Sequence, residues 1–139
     1  KELGATHTIS PASGDVFKQV FAIVGDDGVD CAIEAVGIPA TWNMCQDIVK
    51  PGGHIAVVGV HGQSVDFKLE KLWIKNLAIT TGLVNANTTE MLMKAISSSS
   101  VDYTKMLTHR FKFSELEKAY DVFKHAAENQ AMKVVLEAD

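Results

Sequence analysis

The chain has 139 residues, a formal net charge of -4, 47% hydrophobic residues and 22% charged residues. That balance fits one soluble globular domain with a core of its own. It excludes an obvious nucleic-acid surface, since no run of Lys or Arg offsets the acidic charge. No apolar stretch approaches the roughly 20 residues that span a bilayer.

The chain opens on Lys1-Glu2-Leu3-Gly4-Ala5 without a Met. Leu3-Gly4 reads as the last helical turn and its glycine cap, which marks the chain as a piece of a longer protein. Thr6–Ile9 reads as a short strand. Ser13 is placed to cap a helix from Gly14 to about Val24, with Val16, Val20, Phe21 and Val24 on its apolar face. Gly25-Asp26-Asp27-Gly28 is a turn.

Asp30 to Gly37 then reads as a strand ending in a glycine turn. Pro39 to Lys50 reads as a helix, with Trp42, Cys45, Ile48 and Val49 on one stripe. Pro51-Gly52-Gly53 breaks it, and His54–Val60 is a second strand. Both strands are nearly continuous apolar runs, the pattern of a parallel sheet buried on both faces. Cys31 and Cys45 read as buried free thiols of a reducing compartment, the cytoplasm.

Ser64–Lys68 reads as a short edge strand, and Leu77–Val84 as another strand. Asn87 with Glu90 resembles a capping box for a helix to about Ser97, which the run Ser97–Ser100 ends. Thr108–Phe113 is extended. Ser114-Glu115-Leu116-Glu117 is a capping box for a helix burying Leu116, Ala119, Tyr120, Phe123 and Ala127. Met132–Glu137 is a last strand. Five or six strands alternating with helices predict an α/β fold, a doubly wound parallel sheet.

In such sheets ligands bind outside the carboxyl ends of the strands. Ala35-Val36-Gly37 and Val58-Gly59-Val60 are therefore the first candidates. Gly37, Gly59 and Gly82 each end a strand, either as turn glycines or to let a ligand approach the backbone. Glu34 reads as a carboxylate satisfied by local hydrogen bonds rather than a ribose ligand, because no G-x-G-x-x-G precedes it. His61 is the only His at a strand's carboxyl end, and it reads as a solvated loop residue rather than a ligand contact. Lys133 lies among apolar residues, so it reaches an anion or snorkels from an edge strand. No metal-ligand spacing is present among the Cys and His residues.

Several segments in order carry a resemblance. They are Lys1–His7, Gly28–Gly37, Pro51–Gly59, Thr108–Phe111 and Lys118–Phe123. Together they resemble the C-terminal part of a zinc-dependent alcohol dehydrogenase of the medium-chain dehydrogenase/reductase family. Glu34–Pro39 and Leu77–Thr89 are similar to bacterial members, including those acting on short secondary alcohols.

The resemblance implies a Rossmann sheet lacking its first β-α-β-α portion, with residues 1–139 forming the C-terminal part of a dinucleotide-binding domain. It implies NAD or NADP as cofactor. Ala35, Val36, Val58, Gly59 and Val60 would line the nicotinamide and its ribose. Gly82, Leu83 and Val84 would close over the nicotinamide, and Lys133 would contact the pyrophosphate. Zinc and the glycine fingerprint would belong to residues upstream of Lys1, so these 139 residues alone are expected to be inactive. The substrate would be a small alcohol with its aldehyde or ketone.

A homodimer or tetramer is expected through edge strands near Ser64–Phe67 and Leu77–Gly82. Thr6–Ile9 would be strand 3 of the order 3-2-1-4-5-6, without its neighbours, leaving a hydrophobic edge open to pairing. The alternatives are a zinc-free quinone or enoyl reductase of the same fold, or a non-catalytic doubly wound module for a small anion.

Overall fold

The computed structural model describes residues 1–84, 86–99 and 102–139. The chain divides into two compact units, Leu3–Asn85 and Ala86–Asp139. Each has its own parallel sheet.

In the first unit the sheet has the order β1 (Val29–Glu34), β2 (Val49–Val57), β3 (Ala78–Thr81). Helix α1 (Val16–Val24) precedes it, α2 (Pro39–Ile48) links β1 to β2, and the single turn α3 (Leu69–Leu72) lies before β3. Asp15, not Ser13, caps α1, its carboxylate accepting from the amides of Phe17 and Lys18. Pro39 opens α2 where a missing N–H costs nothing.

Pro51-Gly52-Gly53 does not end a helix ahead of a strand, as the sequence predicts. It forms a bulge inside β2, between the pairs Val29↔Val49 and Cys31↔His54. Gly53 is needed there, because a Cβ would lie 2.7 Å from a Val49 methyl and 2.9 Å from the Asp30 carbonyl.

The core follows from register. Ala32 pairs with Ile55, and Ile55 with Ile79, so all three share one face. Trp42 and Cys45 of α2 pack on that face together with Val49. The opposite face carries Cys31 and Ile33, both exposed. The expected burial of both faces is therefore corrected. Continuous apolar residues permit burial on two sides, but among the described residues of this unit α2 packs on the Ala32–Ile55 face and leaves Cys31 and Ile33 on the other exposed. Of the two thiols expected to be buried, only Cys45 is. Burial pushes its thiol pKa up, with the Glu34 charge adding to the shift.

Two expected strands do not form. Thr6–Ile9 has no strand neighbour among the described residues, and a segment without a ladder is not a strand. Ser64–Lys68 forms no strand and is held by side chains instead. The Asp66 carbonyl accepts from Trp42 Nε1 at 2.8 Å and from Gln46 Nε2 at 3.0 Å, and the Lys68 amide donates to Gln46 Oε1 at 2.9 Å. The Gln46 amide thus replaces one rung of a ladder, and Gln46 is buried as a result.

In the second unit α4 (Thr89–Ser98) comes first, with Thr88 at its cap position. The last serine of the expected terminating run, Ser100, lies outside the described residues. A β-α-β arrangement follows. β4 (Leu107–Lys112) pairs in parallel with β5 (Lys133–Glu137), and α5 (Leu116–Lys124) and α6 (Ala126–Asn129) connect them.

The box predicted at Ser114 is not formed. The Glu115 carboxylate accepts from the Lys112 amide, and the Ser114 hydroxyl donates to Asp139. Of the apolar face expected for α5, only Ala119 is buried, while Tyr120 and Phe123 are exposed. The described residues thus hold five strands in two sheets rather than one sheet of five or six. The α/β architecture with parallel strands is as the sequence predicts.

Candidate functional site

Parallel strands end side by side, so the loops leaving β1, β2 and β3 emerge at one edge of the sheet. Glu34 is the last residue of β1 and is 1% exposed. Its backbone carbonyl accepts from the amides of Val58 at 2.8 Å and Gly59 at 3.1 Å. Its Oε1 accepts from the amides of Val36 at 3.0 Å and Gly37 at 2.9 Å, and from the Thr41 hydroxyl at 2.6 Å. Its Oε2 lies 3.1 Å from His61 Nε2. A carboxylate only accepts, so that nitrogen carries the hydrogen. The other ring nitrogen, His61 Nδ1, is buried and has no hydrogen-bond partner among the described residues.

Burial pushes the Glu34 pKa up. The Thr41 hydroxyl, the Gly37 and Val36 amides and the His61 ring outweigh it, and the net value falls to about 2. The sign of the linkage follows. Glu34 stabilises the folded state fully above the ordinary carboxylate value of 4.5, and that contribution is lost as pH falls toward 2. Urea unfolding midpoints measured from pH 6 to pH 2 are expected to fall over that window in the wild type. In Glu34→Gln the slope in the same window is expected to flatten. An unchanged slope would show that other carboxylates carry the acid lability.

The local satisfaction of Glu34 agrees with its sequence. The Thr41 contact and the His61 contact, 27 residues away, go beyond it, and His61, held by Glu34 with its side chain 18% exposed, is not the solvated loop residue the sequence predicts. A Thr in the first turn after an acidic strand end was the available signal for the first. None existed for the second.

The glycines have separate roles. A Cβ on Gly59 would overlap Glu34 Oε2 and the Gly37 amide and lie 2.8 Å from the Val36 nitrogen. Gly37 has φ +89°, and a Cβ there would lie 2.6 Å from the Val60 carbonyl carbon. Both glycines serve close packing of neighbouring loops. Of the three strand-end glycines Gly82 faces open space, with no atom within 4 Å of a built Cβ.

A groove of about 690 Å³ is lined by Ala56–Val60 and Thr80–Val84. It brings together Val58, Gly59, Val60, Gly82, Leu83 and Val84. The four larger side chains are exposed, from 67% at Val58 to 91% at Val84. Ala35 and Val36 emerge from the adjacent strand β1 and are exposed, but do not line the groove. Exposed apolar residues gathered at one strand-end rim make this groove the candidate site.

Lys133 belongs to the second unit. It opens β5 rather than sitting within it and lines a cavity of about 320 Å³ with Tyr120 and Phe123. Among the described residues no carboxylate pairs with its ammonium. No group of three His, Cys, Asp or Glu is placed to hold a metal among the described residues. None of their helices is long and apolar enough to cross a membrane.

Parallel strands joined by helices, with an open rim at their carboxyl ends, define a Rossmann-like α/β protein. Residues 1–98 match the zinc-binding dehydrogenase family. The chain is 48% identical to zinc dependent alcohol dehydrogenase 2 from Streptococcus pneumonia, with a TM-score of 0.88 over 98% of this chain and 39% of that one. It is 29% identical to an alcohol dehydrogenase of Cupriavidus necator over 88% of this chain and 35% of the relative. It is 28% identical to an L-threonine 3-dehydrogenase of Shewanella woodyi over 100% of this chain and 40% of the relative. The chain belongs to the zinc-binding dehydrogenases, a medium-chain dehydrogenase/reductase family. It spans between a third and two-fifths of the length of these curated relatives.

Proposed function

We propose that this chain is the C-terminal part of a zinc-type, NAD- or NADP-dependent alcohol dehydrogenase. The observation that carries the reading is the shared apolar groove in which Val58 and Leu83 stand together at the ends of adjacent parallel strands. A flat, weakly polar nicotinamide ring suits such a wall, and Gly82 leaves backbone open beside it. In this reading Val58, Gly59, Val60, Gly82, Leu83 and Val84 face the nicotinamide. Ala35 and Val36 border its ribose. For Lys133, in the second unit, a pyrophosphate contact is proposed by itself, from the family resemblance and an ammonium without a carboxylate partner among the described residues.

When bound, NAD or NADP supplies the hydride acceptor and zinc a Lewis acid at the alcohol oxygen. This chain's residues hold one side of the ring and exclude water from it. The zinc ligands, glycine fingerprint and proton relay are assigned to residues outside this chain, and the 139 residues alone are expected to turn over no alcohol. The substrate class is a small alcohol with its aldehyde or ketone, in line with the names of the relatives. The enzyme is assigned to the cytoplasm, which suits its two free cysteines. It is assigned as a homodimer or tetramer joined at β3, whose second edge has no strand partner among the described residues.

The test is a titration of the full-length parent with NADH and NADPH, followed by nicotinamide fluorescence. Saturable binding is expected in the wild type. Leu83→Asp, which puts a charge on the apolar wall, is expected to weaken it about 10-fold or more. Binding unaffected by that change would remove the groove from the cofactor site.

A further inference from the structure

We propose that Glu34 is a positioning residue for the proposed cofactor wall, a role that rests on the reading of the strand-end groove given above. One side chain and its own carbonyl tie three segments together. Oε1 draws in the amides of Val36 and Gly37 and, through the Thr41 hydroxyl, the first turn of α2. Oε2 holds His61, which follows Val60 directly. The backbone carbonyl takes the amides of Val58 and Gly59.

The absence of a Cβ at Gly59 leaves the space Oε2 occupies. The carboxylate itself is buried and does not reach the groove. A buried carboxylate has about four lone-pair sites to satisfy, so it is where its bonds lead, rather than how many there are, that bears on the groove. Here the side-chain bonds reach the loop after β1 through Val36 and Gly37 and the loop after β2 through His61, so losing the carboxylate frees Val36 and the segment that ends in Val60, while the backbone bonds to Val58 and Gly59 remain. Wall residues displaced by an ångström cost ligand affinity out of proportion to the loss of fold stability. The titratable groups facing Glu34 are His61, from the loop after β2, and Cys45, from α2.

The experiment uses the full-length enzyme with Glu34→Ala, Glu34→Gln, Thr41→Val and, as a stability control, the core change Ile55→Val. Glu34→Ala is expected to raise the NAD(P)H dissociation constant about 10- to 100-fold. Glu34→Gln keeps a carbonyl oxygen for the two amides and is expected to recover most of that loss. Ile55→Val is expected to lower the melting temperature without changing the dissociation constant. Glu34→Ala binding at wild-type affinity, or Ile55→Val losing as much, overturns the proposal. Should Glu34→Ala fail to fold, Thr41→Val decides, with a several-fold weakening expected and unchanged binding overturning.

Hydrogen exchange at the Val36 and Gly37 amides needs no cofactor. It is expected to speed up in Glu34→Ala, or in Thr41→Val where the alanine variant does not fold. Unchanged exchange overturns the proposal whatever the enzyme binds, whereas a wild type that binds neither NADH nor NADPH overturns the reading of the site.

Discussion

Gly59→Ala is expected to destabilise the first unit by about 3 kcal/mol, while Gly82→Ala shifts stability by no more than about 0.5 kcal/mol. The two residues occupy similar places, each just past a strand. Their surroundings differ. At Gly59 the new methyl meets Glu34 Oε2, the Gly37 amide and the Val36 nitrogen, and two of the three are backbone atoms that cannot swing aside. At Gly82 it meets nothing within 4 Å. Urea denaturation of both variants checks the difference. On the proposed reading Gly82→Ala, though stable, weakens cofactor binding, because it fills space beside the ring. Equal stability losses at the two glycines would show that the loops after β2 and β3 are packed alike.

Lys133→Glu in the full-length enzyme is expected to raise the dissociation constant for NAD or NADP about 10- to 100-fold, with kcat at saturating cofactor nearly unchanged. A hydrogen bond to a charged group contributes about 1.5–3 kcal/mol, which is that range. The ammonium has no carboxylate partner among the described residues and stands at the start of β5 beside Tyr120 and Phe123. A solvated edge lysine predicts no change. A phosphate contact also predicts that wild-type affinity falls with added salt and that the variant's falls less. Affinity equal in wild type and variant would assign Lys133 to the surface.

Helix and strand identity along the central β-α-β unit was legible in the sequence. Asp30–Gly37 and His54–Val60 carry apolar runs, and Pro39 opens a helix with its stripe at Trp42 and Cys45. These are local patterns, and the structure keeps the element types, although the strands end at Glu34 and Val57, and Val49, expected on the helix stripe, opens β2. Lys133 and the β3 tip also stood out locally, as a charge among apolar residues and as a strand ending in glycine.

What the sequence by itself determined was the order of elements, the parallel α/β class and the family. The tertiary structure decided whatever needs a partner. Thr6–Ile9 has a strand's composition but finds no neighbouring strand among the described residues. Ser64–Lys68 meets the Gln46 amide instead of a ladder, and the strands divide between two sheets. Only contact across 27 residues joined His61 to Glu34, and only packing showed that Gly37 and Gly59 yield their space to the protein while Gly82 leaves it open. Periodicity records which side of an element is apolar. It carries no information about what arrives to cover that side.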